Sequence, residues 1–176
     1  MRTKSRVCLS PIGGEHIQYY ISLSDDPELI ASMGWKPFLP NEKDRFIDFT
    51  KVLTLPNLKD SESIVFNVTS VTNGKAIGYV SIKGINREEG RAEIGIAIMD
   101  KEYRGKGCGT EALKQASDYA FNELGLTLLG LTVFPSNQKA IQAYERVGFR
   151  KTGLTVAWLL PSGEYVDMLV MELSHN

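Results

Sequence analysis

A short glycine-rich segment, Arg104 to Thr110, limits the fold more than any other part of the sequence, because glycine stands at positions 105, 107 and 109. A strand-like stretch from Arg91 to Met99 precedes it, and a helical pattern that stops at Gly125 follows it. Leu126 to Phe134 is then an apolar run that predicts a buried strand. A strand, a helix and a second strand in one sheet require parallel strands, and ligands usually bind at the turn that enters the helix.

The chain just before this segment predicts an antiparallel meander. Ile64 to Val71 is rich in β-branched and aromatic residues, Asn73-Gly74 is a strong hairpin turn, and Ala76 to Ile85 resumes the strand pattern. A polar turn then leads into the strand from Arg91 to Met99, which should pair antiparallel with its predecessor.

The two ends of the chain complete the predicted architecture. Before residue 63 we expect helices and loops, with a helix start at Asp26-Pro27-Glu28 and helical spacing from Asn41 to Leu53. The second half predicts a helix from Asn137 to Val147 closed by Gly148, then a hairpin of Val156 to Leu160 and Tyr165 to Met171. The predicted fold class is α/β (α+β), a mixed and mostly antiparallel twisted sheet flanked by helices, in one domain spanning residues 1–176.

Composition narrows the classes of function. The 176 residues include 20 basic and 21 acidic ones, so the net charge of -1 does not predict a general nucleic-acid or anionic-membrane binder. The charged N-terminus lacks an apolar signal core, and no apolar run approaches the roughly 20 residues that cross a bilayer. We therefore expect a soluble, cytoplasmic protein. Two cysteines, Cys8 and Cys108, and two histidines, His16 and His175, lack metal-type spacing, so no metal site is expected.

The glycine-rich segment has the chemistry of an anion site. Glycine lets the backbone turn tightly and approach a ligand, and the free N–H groups of the next helix's first turn attract negative charge. The basic side chains of Arg104 and Lys106 can add charge-assisted contacts to phosphate oxygens. We therefore predict a pyrophosphate-binding turn.

Other glycine-rich loops fit the segment less well. A P-loop needs a lysine after its last glycine, whereas here the lysine precedes Gly107. The six residues from Gly107 to Ala112 fit a dinucleotide fingerprint formally, but an antiparallel meander precedes them and no acidic residue ends a second parallel strand. A tight turn that binds no ligand is the remaining interpretation.

Two ordered motifs resemble a known family. The residues from Arg104 to Gly109 resemble the R/Q-x-x-G-x-G/A signature of the GNAT acetyltransferases. Some thirty residues later, Asn137 to Phe149 resembles their second signature, an asparagine followed by a short helix with tyrosine and then glycine-phenylalanine. The resemblance covers roughly Ile64 to Leu173, and Gly163 to Met168 looks like the branch of ribosomal-protein N-terminal and polyamine acetyltransferases.

The resemblance implies a GNAT-like fold, with parallel strands splayed at an acetyl-CoA site, and acetyl-CoA as cosubstrate. It implies that the Arg104 to Thr110 turn binds the diphosphate and that Asn137 bonds the pantetheine arm. Tyr144 would lie near the thioester sulfur as general acid. The residues that the resemblance assigns to the cofactor site are Ile98 and Met99 (through their backbone), Arg104, Gly105, Lys106, Gly107, Cys108, Gly109, Thr110, Asn137, Lys139, Ala140 and Tyr144. Cys108 falls on a variable position of the motif, so its thiol need not take part in chemistry.

The reaction needs a proton acceptor, because an amine attacks a thioester only when neutral and a free alkylammonium has a pKa of roughly 10. Glu93 lies in the strand where related enzymes place an acid, and alternation puts it on one face with Gly95, Ala97 and Met99. An exposed strand charge or an ion pair is the alternative interpretation of Glu93. Tyr144 fits a packing role on its helix face, and Asn137 fits a helix N-cap, which is compatible with cofactor binding.

The acceptor is not encoded in a recognisable motif. A protein N-terminus, a polyamine or another small amine is the expected acceptor class, and a homodimer is left open. Trp35, Phe38 and Tyr79 are candidates for lining an acceptor pocket, whereas Trp158 is expected to pack in the core. A non-catalytic acyl-CoA sensor and a mononucleotide-binding regulator are alternative functions, and an intact Glu93 and Tyr144 favour catalysis.

Overall fold

The structure is a computed structural model, and it describes residues 4–34, 63–160 and 162–175. The predicted helix from Asn41 to Leu53 and the candidate pocket residues Trp35 and Phe38 lie outside the described residues. The strands are β1 (Val7–Pro11), β2 (Ser63–Ser70), β3 (Ala76–Asn86), β4 (Arg91–Ile98), β5 (Leu128–Val133), β6 (Arg150–Leu159) and β7 (Tyr165–Ser174). Within the described ranges the helices are α1 (Gly14–Leu23), α2 (Pro27–Met33), α3 (Cys108–Asn122) and α4 (Gln138–Val147), and a 3-10 turn spans Lys101–Tyr103.

The strands form one mixed sheet in the order β1-β2-β3-β4-β5-β7-β6. Every neighbouring pair is antiparallel except β4 and β5, which are parallel. That parallel pairing covers only Arg91 to Glu93 on β4 and Leu128 to Gly130 on β5. Beyond Glu93 and Gly130 the two strands separate, and we call this point the fork. The predicted mixed, mostly antiparallel sheet with a splayed parallel pair is confirmed.

Two apolar clusters cover the two faces of the sheet. The larger cluster joins the strands to buried residues of α3 and α4, including Leu113, Ala116 and Ile141. The smaller cluster joins Tyr20 of α1 and Leu29 of α2 to the far end of β4. Each fully buried apolar side chain contributes about 1.5–3 kcal/mol, so both faces of β4 are fixed by packing.

The start of α2 follows from its first residues. The Asp26 carboxylate accepts hydrogen bonds from the backbone N–H groups of Glu28 (2.9 Å) and Leu29 (3.1 Å), and Pro27 occupies the first turn. Burial opposes ionisation of Asp26, but the Leu29 N–H and the nearby Arg104 guanidinium outweigh it and hold the pKa of the carboxyl below its usual range. Asp26 is thus confirmed as the N-cap of α2, and its carboxyl group is ionised.

The N-terminal prediction of helices and loops was incomplete. Residues Val7 to Pro11 form an edge strand on β2, in register Val7 with Ser70. Five residues that end in a proline give too short a pattern to recognise, and the strand depends on its neighbour's edge. Two element boundaries also differ from the prediction: α3 begins at Cys108 rather than Thr110, and β6 begins at Arg150 rather than Val156.

Candidate active site

The fork places the ends of β4 and β5 at one opening. Because β4 pairs with β5 only as far as Glu93, the backbone of β4 from Ile94 onward is released from its parallel neighbour. The glycine-rich turn follows the end of β4, and the helix α4 follows the end of β5. Both sequence motifs therefore lie at the same end of the fork, as a crossover connection requires.

Glycine is needed in the turn for conformation. Gly105 has φ of +72° and Gly107 has φ of +82°, a left-handed region that L side chains rarely adopt. Gly107 is the N-cap of α3, and the first helical hydrogen bond runs from the Glu111 N–H to the Gly107 carbonyl at 3.1 Å. The N–H groups of Cys108, Gly109 and Thr110 thus precede the hydrogen-bonded helix and are available to an anion.

Gly109 has a different role, which is close packing. A Cβ atom at this position would lie 3.4 Å from the Ile98 side chain, so α3 approaches the end of β4 closely. Glu111, one turn into α3, accepts hydrogen bonds from the Ser5 hydroxyl and from the backbone N–H of Arg6 (2.9 Å). The N-terminal strand is thereby fastened beside the turn.

Arg104 is engaged within the chain. Its Nε donates to the Ile98 carbonyl at 2.8 Å and its Nη2 donates to the Met99 carbonyl at 2.9 Å. Its Nη1 lies 3.3 Å from a carboxylate oxygen of Asp26 and 3.3 Å from one of Glu28, and the side chain is only 19% exposed. The guanidinium therefore ties the end of β4 to the start of α2. Lys106, in contrast, is exposed in the turn.

On the other arm of the fork, Asn137 is the N-cap of α4. Its side-chain oxygen accepts from the Ala140 N–H at 3.2 Å, which confirms the capping interpretation. Among the described residues its amide nitrogen has no acceptor, so the NH₂ group can donate to a ligand. Lys139, in the same turn, reaches Glu28 of α2 with 3.5 Å between Nζ and Oε1. Glu28 thus lies between the two arms.

Tyr144 lies one turn before the C-terminus of α4. The ring is half-buried against the larger apolar cluster, with its centroid 6.1 Å from that of Phe149. Burial raises the pKa of its phenol to about 12. The hydroxyl therefore holds its proton throughout the neutral range, which a proton donor requires.

Glu93 lies at the base of the fork in a cleft of about 450 Å³. The cleft is lined by residues of five strands, among them Lys83, Arg91, Glu93, Thr132, Val156 and Glu172. Glu93 is exposed, and its strand neighbour on β5 is Gly130, which in turn pairs with Glu172 of β7. Gly130 has no side chain and a Cβ there would meet nothing within 4 Å, so the space between the two glutamates is open.

Basic side chains limit the negative charge of this cleft. Lys83 is the cross-strand partner of Glu93, and burial lowers the pKa of its ammonium despite the opposing effect of the Glu93 carboxylate. Arg91 lies 3.8 Å from Glu172 and 4.0 Å from Glu89. Sequence reasoning found Glu93 but missed Lys83, Gly130 and Glu172, because only strand register brings them to it.

Three further predicted residues have structural positions. Cys108 is buried, and burial together with the Glu111 charge raises the pKa of its thiol, which keeps it in the unreactive form. Tyr79 packs against the smaller apolar cluster and not in the cleft, while Trp158 is 44% exposed rather than packed in the core. No group of acidic, histidine or cysteine residues in the described ranges could hold a metal, and no helix there is long and apolar enough to cross a membrane.

Residues 6–150 match the family model described as Acetyltransferase (GNAT) domain. The chain belongs to the GNAT acetyltransferase family. It is an acetyl-CoA-dependent N-acetyltransferase, and its solved neighbours include one bound to CoA. The recognition made from the two motifs is confirmed, and so is acetyl-CoA as cosubstrate.

Several relatives of the chain belong to the polyamine branch of the GNAT family. The spermidine N(1)-acetyltransferase of Escherichia coli (strain K12) is 29% identical over 171 residues, which cover 97% of this chain and 87% of the relative. A crystal structure of the Vibrio cholerae spermidine N-acetyltransferase with CoA and spermine matches with a TM-score of 0.79 at 24% identity, covering 97% and 96% of the two chains. A dodecameric structure of the Vibrio cholerae enzyme matches with a TM-score of 0.74 at 25% identity, covering 97% and 95%.

Proposed function

We propose that this N-acetyltransferase acetylates a primary amine of a polyamine, with spermidine as the first acceptor to test. The observation that carries the proposal is the position of Glu93, a carboxylate at the base of the fork in an open cleft. Glu89 and Glu172 line the same cleft, and carboxylates suit an acceptor with several ammonium groups. The naming of the Escherichia coli relative supports the same acceptor class.

The cofactor occupies the fork in this proposal. The N–H groups from Gly105 to Thr110 bind the diphosphate, with Lys106 adding charge. The carbonyls of Ile98 and Met99 already accept from Arg104, so the released edge of β4 offers its remaining backbone groups to the pantetheine arm, as an added strand would. Asn137 donates its NH₂ group to the same arm, and Lys139 and Ala140 line the groove beside it. Arg104 contributes by holding β4 and α2 in place.

The chemical step is a direct attack in a ternary complex. Glu93, directly or through water, takes a proton from the acceptor ammonium and leaves a neutral amine. The amine nitrogen forms a bond to the thioester carbonyl carbon, and the carbon–sulfur bond breaks as the tetrahedral intermediate collapses. Tyr144 gives its proton to the departing sulfur, and the second proton that the attacking nitrogen loses restores the phenol directly or through water. The products are an N-acetylamine and free CoA.

An amine panel tests the acceptor. Free-thiol release from acetyl-CoA should be fastest with spermidine or spermine, slower with a monoamine such as butylamine, and slower still with a peptide N-terminus. Glu93→Gln should abolish most of this turnover and leave CoA binding intact, whereas Glu88→Gln on the nearby turn should change neither. CoA binding without thiol release from any amine would instead support the acyl-CoA sensor. A preference for the peptide would transfer the proposal to protein N-termini.

Three further expectations stay predictions. The single domain spanning 1–176, the cytoplasmic location and the homodimer are consistent with the sequence. Of the solved relatives, the Vibrio cholerae enzyme forms a dodecamer.

A further inference from the structure

The segment just before β1 brings a guanidinium group to the glycine-rich turn. A Cβ atom at Gly107 would lie 3.4 Å from Nη1 of Arg6 and 3.8 Å from its Cζ, so the head of this side chain lies against the turn. Burial raises the pKa of the Cys108 thiol at the start of α3, and the charges of Arg6 and Lys106 act in the opposite direction. Two cations therefore lie close to the first residue of α3.

The backbone of Arg6 is fixed, whereas its side chain has little to do in the fold. Its N–H donates to the Glu111 carboxylate at 2.9 Å, and its carbonyl accepts from the Val71 N–H at 2.9 Å. Its Nη1 lies 3.9 Å from the other Glu111 oxygen, which is beyond hydrogen-bond distance. No other residue that the structure describes accepts from this guanidinium, and the side chain is 57% exposed. Its N–H donors are therefore available to a ligand.

The charge around the start of α3 is unbalanced. A helix N-terminus itself carries a partial positive charge, so cations placed there are unfavourable unless an anion joins them. Glu111 is the acidic residue in the first turn of α3, while Arg6 and Lys106 add two positive charges beside it. Arg104 does not enter this balance, because the carboxylates of α2 already pair with it. The excess positive charge suits a ligand with several negative charges.

The sheet topology places Arg6 on the side of the turn away from the fork. The strands from β1 to β4 are successively antiparallel, so the start of β1 and the end of β4 lie at the same end of the sheet. The fork lies on the opposite side of β4, toward β5. In CoA the diphosphate lies between the pantetheine arm and an adenosine whose ribose carries a 3′-phosphate. With its arm in the fork and its diphosphate on the turn, CoA has this 3′-phosphate beyond the turn, where Arg6 lies.

We propose that Arg6 binds the 3′-phosphate of CoA and makes the enzyme select CoA over dephospho-CoA. The inference rests on the proposed function, in which the diphosphate lies on the turn. A phosphate monoester carries about two negative charges and three acceptor oxygens, and the guanidinium fork matches such oxygens in pairs. The diphosphate itself meets backbone N–H groups and Lys106. Arg6 therefore adds selectivity for the phosphorylated ribose rather than binding that every nucleotide of this kind would share.

Calorimetric titration of the wild type and Arg6→Gln with CoA and with dephospho-CoA tests this role. At low ionic strength the wild type should bind CoA about tenfold more tightly than dephospho-CoA, since a charge-assisted contact at an exposed site has about this effect. Arg6→Gln should lose most of that preference, with dephospho-CoA affinity changed less than twofold. Arg146→Gln is the matched control, because it removes an exposed positive charge in the last turn of α4 and should keep the preference for CoA.

The same titrations separate this inference from the proposed function. Gly107→Val should weaken the binding of both nucleotides alike, because it changes the turn and not the 3′-phosphate contact. Such a loss in Gly107→Val, together with an unaltered preference for CoA in Arg6→Gln, would retain the turn and overturn the role of Arg6. Equal losses of CoA and dephospho-CoA in Arg6→Gln would also overturn it, since they would assign the guanidinium to the diphosphate. Unchanged affinities in a folded Gly107→Val variant would instead remove the turn from the proposed site.

Discussion

The two sides of the fork are encoded differently in the sequence. On the proposed cofactor side, the glycine-rich turn and the Asn137 helix are each one continuous segment, and both were recognisable as motifs. On the cleft side, Lys83, Glu93 and Glu172 come from three strands and become neighbours only through register. Backbone-mediated anion binding needs a local conformation, whereas an acceptor cleft needs side chains collected from across a sheet. A family motif therefore identifies the shared cosubstrate far more readily than the acceptor.

The sharpest way to break this comparison is to change the turn's conformation. Gly107→Val should reduce CoA affinity by roughly a hundredfold or more, because a β-branched residue cannot hold φ near +82° without strain and its side chain obstructs the diphosphate. Calorimetric titration with CoA measures the affinity. Gly125→Val is the matched control, since Gly125 has φ of +69° at the far end of α3. Both substitutions should lower the stability of the protein by a similar amount, but only Gly107→Val should weaken CoA binding. Equal CoA affinities would remove the turn from the cofactor site.

Chemistry on the cofactor arm is tested at Tyr144. Tyr144→Phe keeps the ring and its packing on Phe149 but removes the phenolic proton, so turnover should fall about tenfold to a thousandfold with CoA affinity unchanged. A thioester whose thiolate is less basic should restore much of the rate, since its sulfur needs less protonation. Phe149→Leu changes the neighbouring ring without removing a proton and should show no such dependence on the leaving group. A wild-type rate in Tyr144→Phe would make this residue a packing residue.

The raised pKa of the Tyr144 phenol predicts that the free energy of unfolding depends on pH. Because the pKa of Tyr144 is raised to about 12 in the folded protein, the protonated form is favoured by folding. Its contribution to stability is present below the unfolded pKa near 10 and is lost as the pH rises through 12. Burial also raises the pKa of Tyr20 and of Tyr79, so ultraviolet titration should show several late-ionising phenols, of which Tyr144→Phe removes one. If Tyr144→Phe instead removed a phenol that ionises near pH 10, the buried environment of Tyr144 would be contradicted.

Sequence reasoning reached the fold and the local structure of one arm of the candidate site for physical reasons. Glycine, asparagine and proline have strong local conformational preferences, so the ends of α2, α4 and the turn before α3 could be recognised. The short edge strand β1 depends on pairing with β2, which a local pattern does not contain. Gly130 illustrates the limit best, because a strand glycine matters here only through its neighbours Glu93 and Glu172.

Gly130 also offers a way to sharpen the comparison from the cleft side. Gly130→Leu fills the space between the two glutamates, so the KM for the acceptor should rise about tenfold while CoA affinity stays within twofold. The folded state should tolerate the change, because no atom lies within 4 Å of the new Cβ and strands favour residues other than glycine. Gly130→Ala is the graded control, with an intermediate effect expected in steady-state kinetics. Parallel losses of acceptor and CoA binding would show that the two sides are not separate.

The smallest expected effect concerns CoA binding, and it separates the roles of Lys106 and Arg104. Lys106 is exposed and can meet the diphosphate only as a solvated charge, so Lys106→Ala should weaken CoA binding about two- to fivefold at low salt. This loss should disappear near 1 M salt, where the Debye screening length falls to about 3 Å. Arg104→Ala removes the guanidinium that joins the carbonyls of Ile98 and Met99 to Asp26, so it should lower the melting temperature and weaken CoA binding similarly at both salt concentrations. A salt-dependent loss in Arg104→Ala with an unchanged melting temperature would instead assign this arginine to the phosphate, and the start of α2 would then be held by its own N-cap and by the Lys139–Glu28 contact.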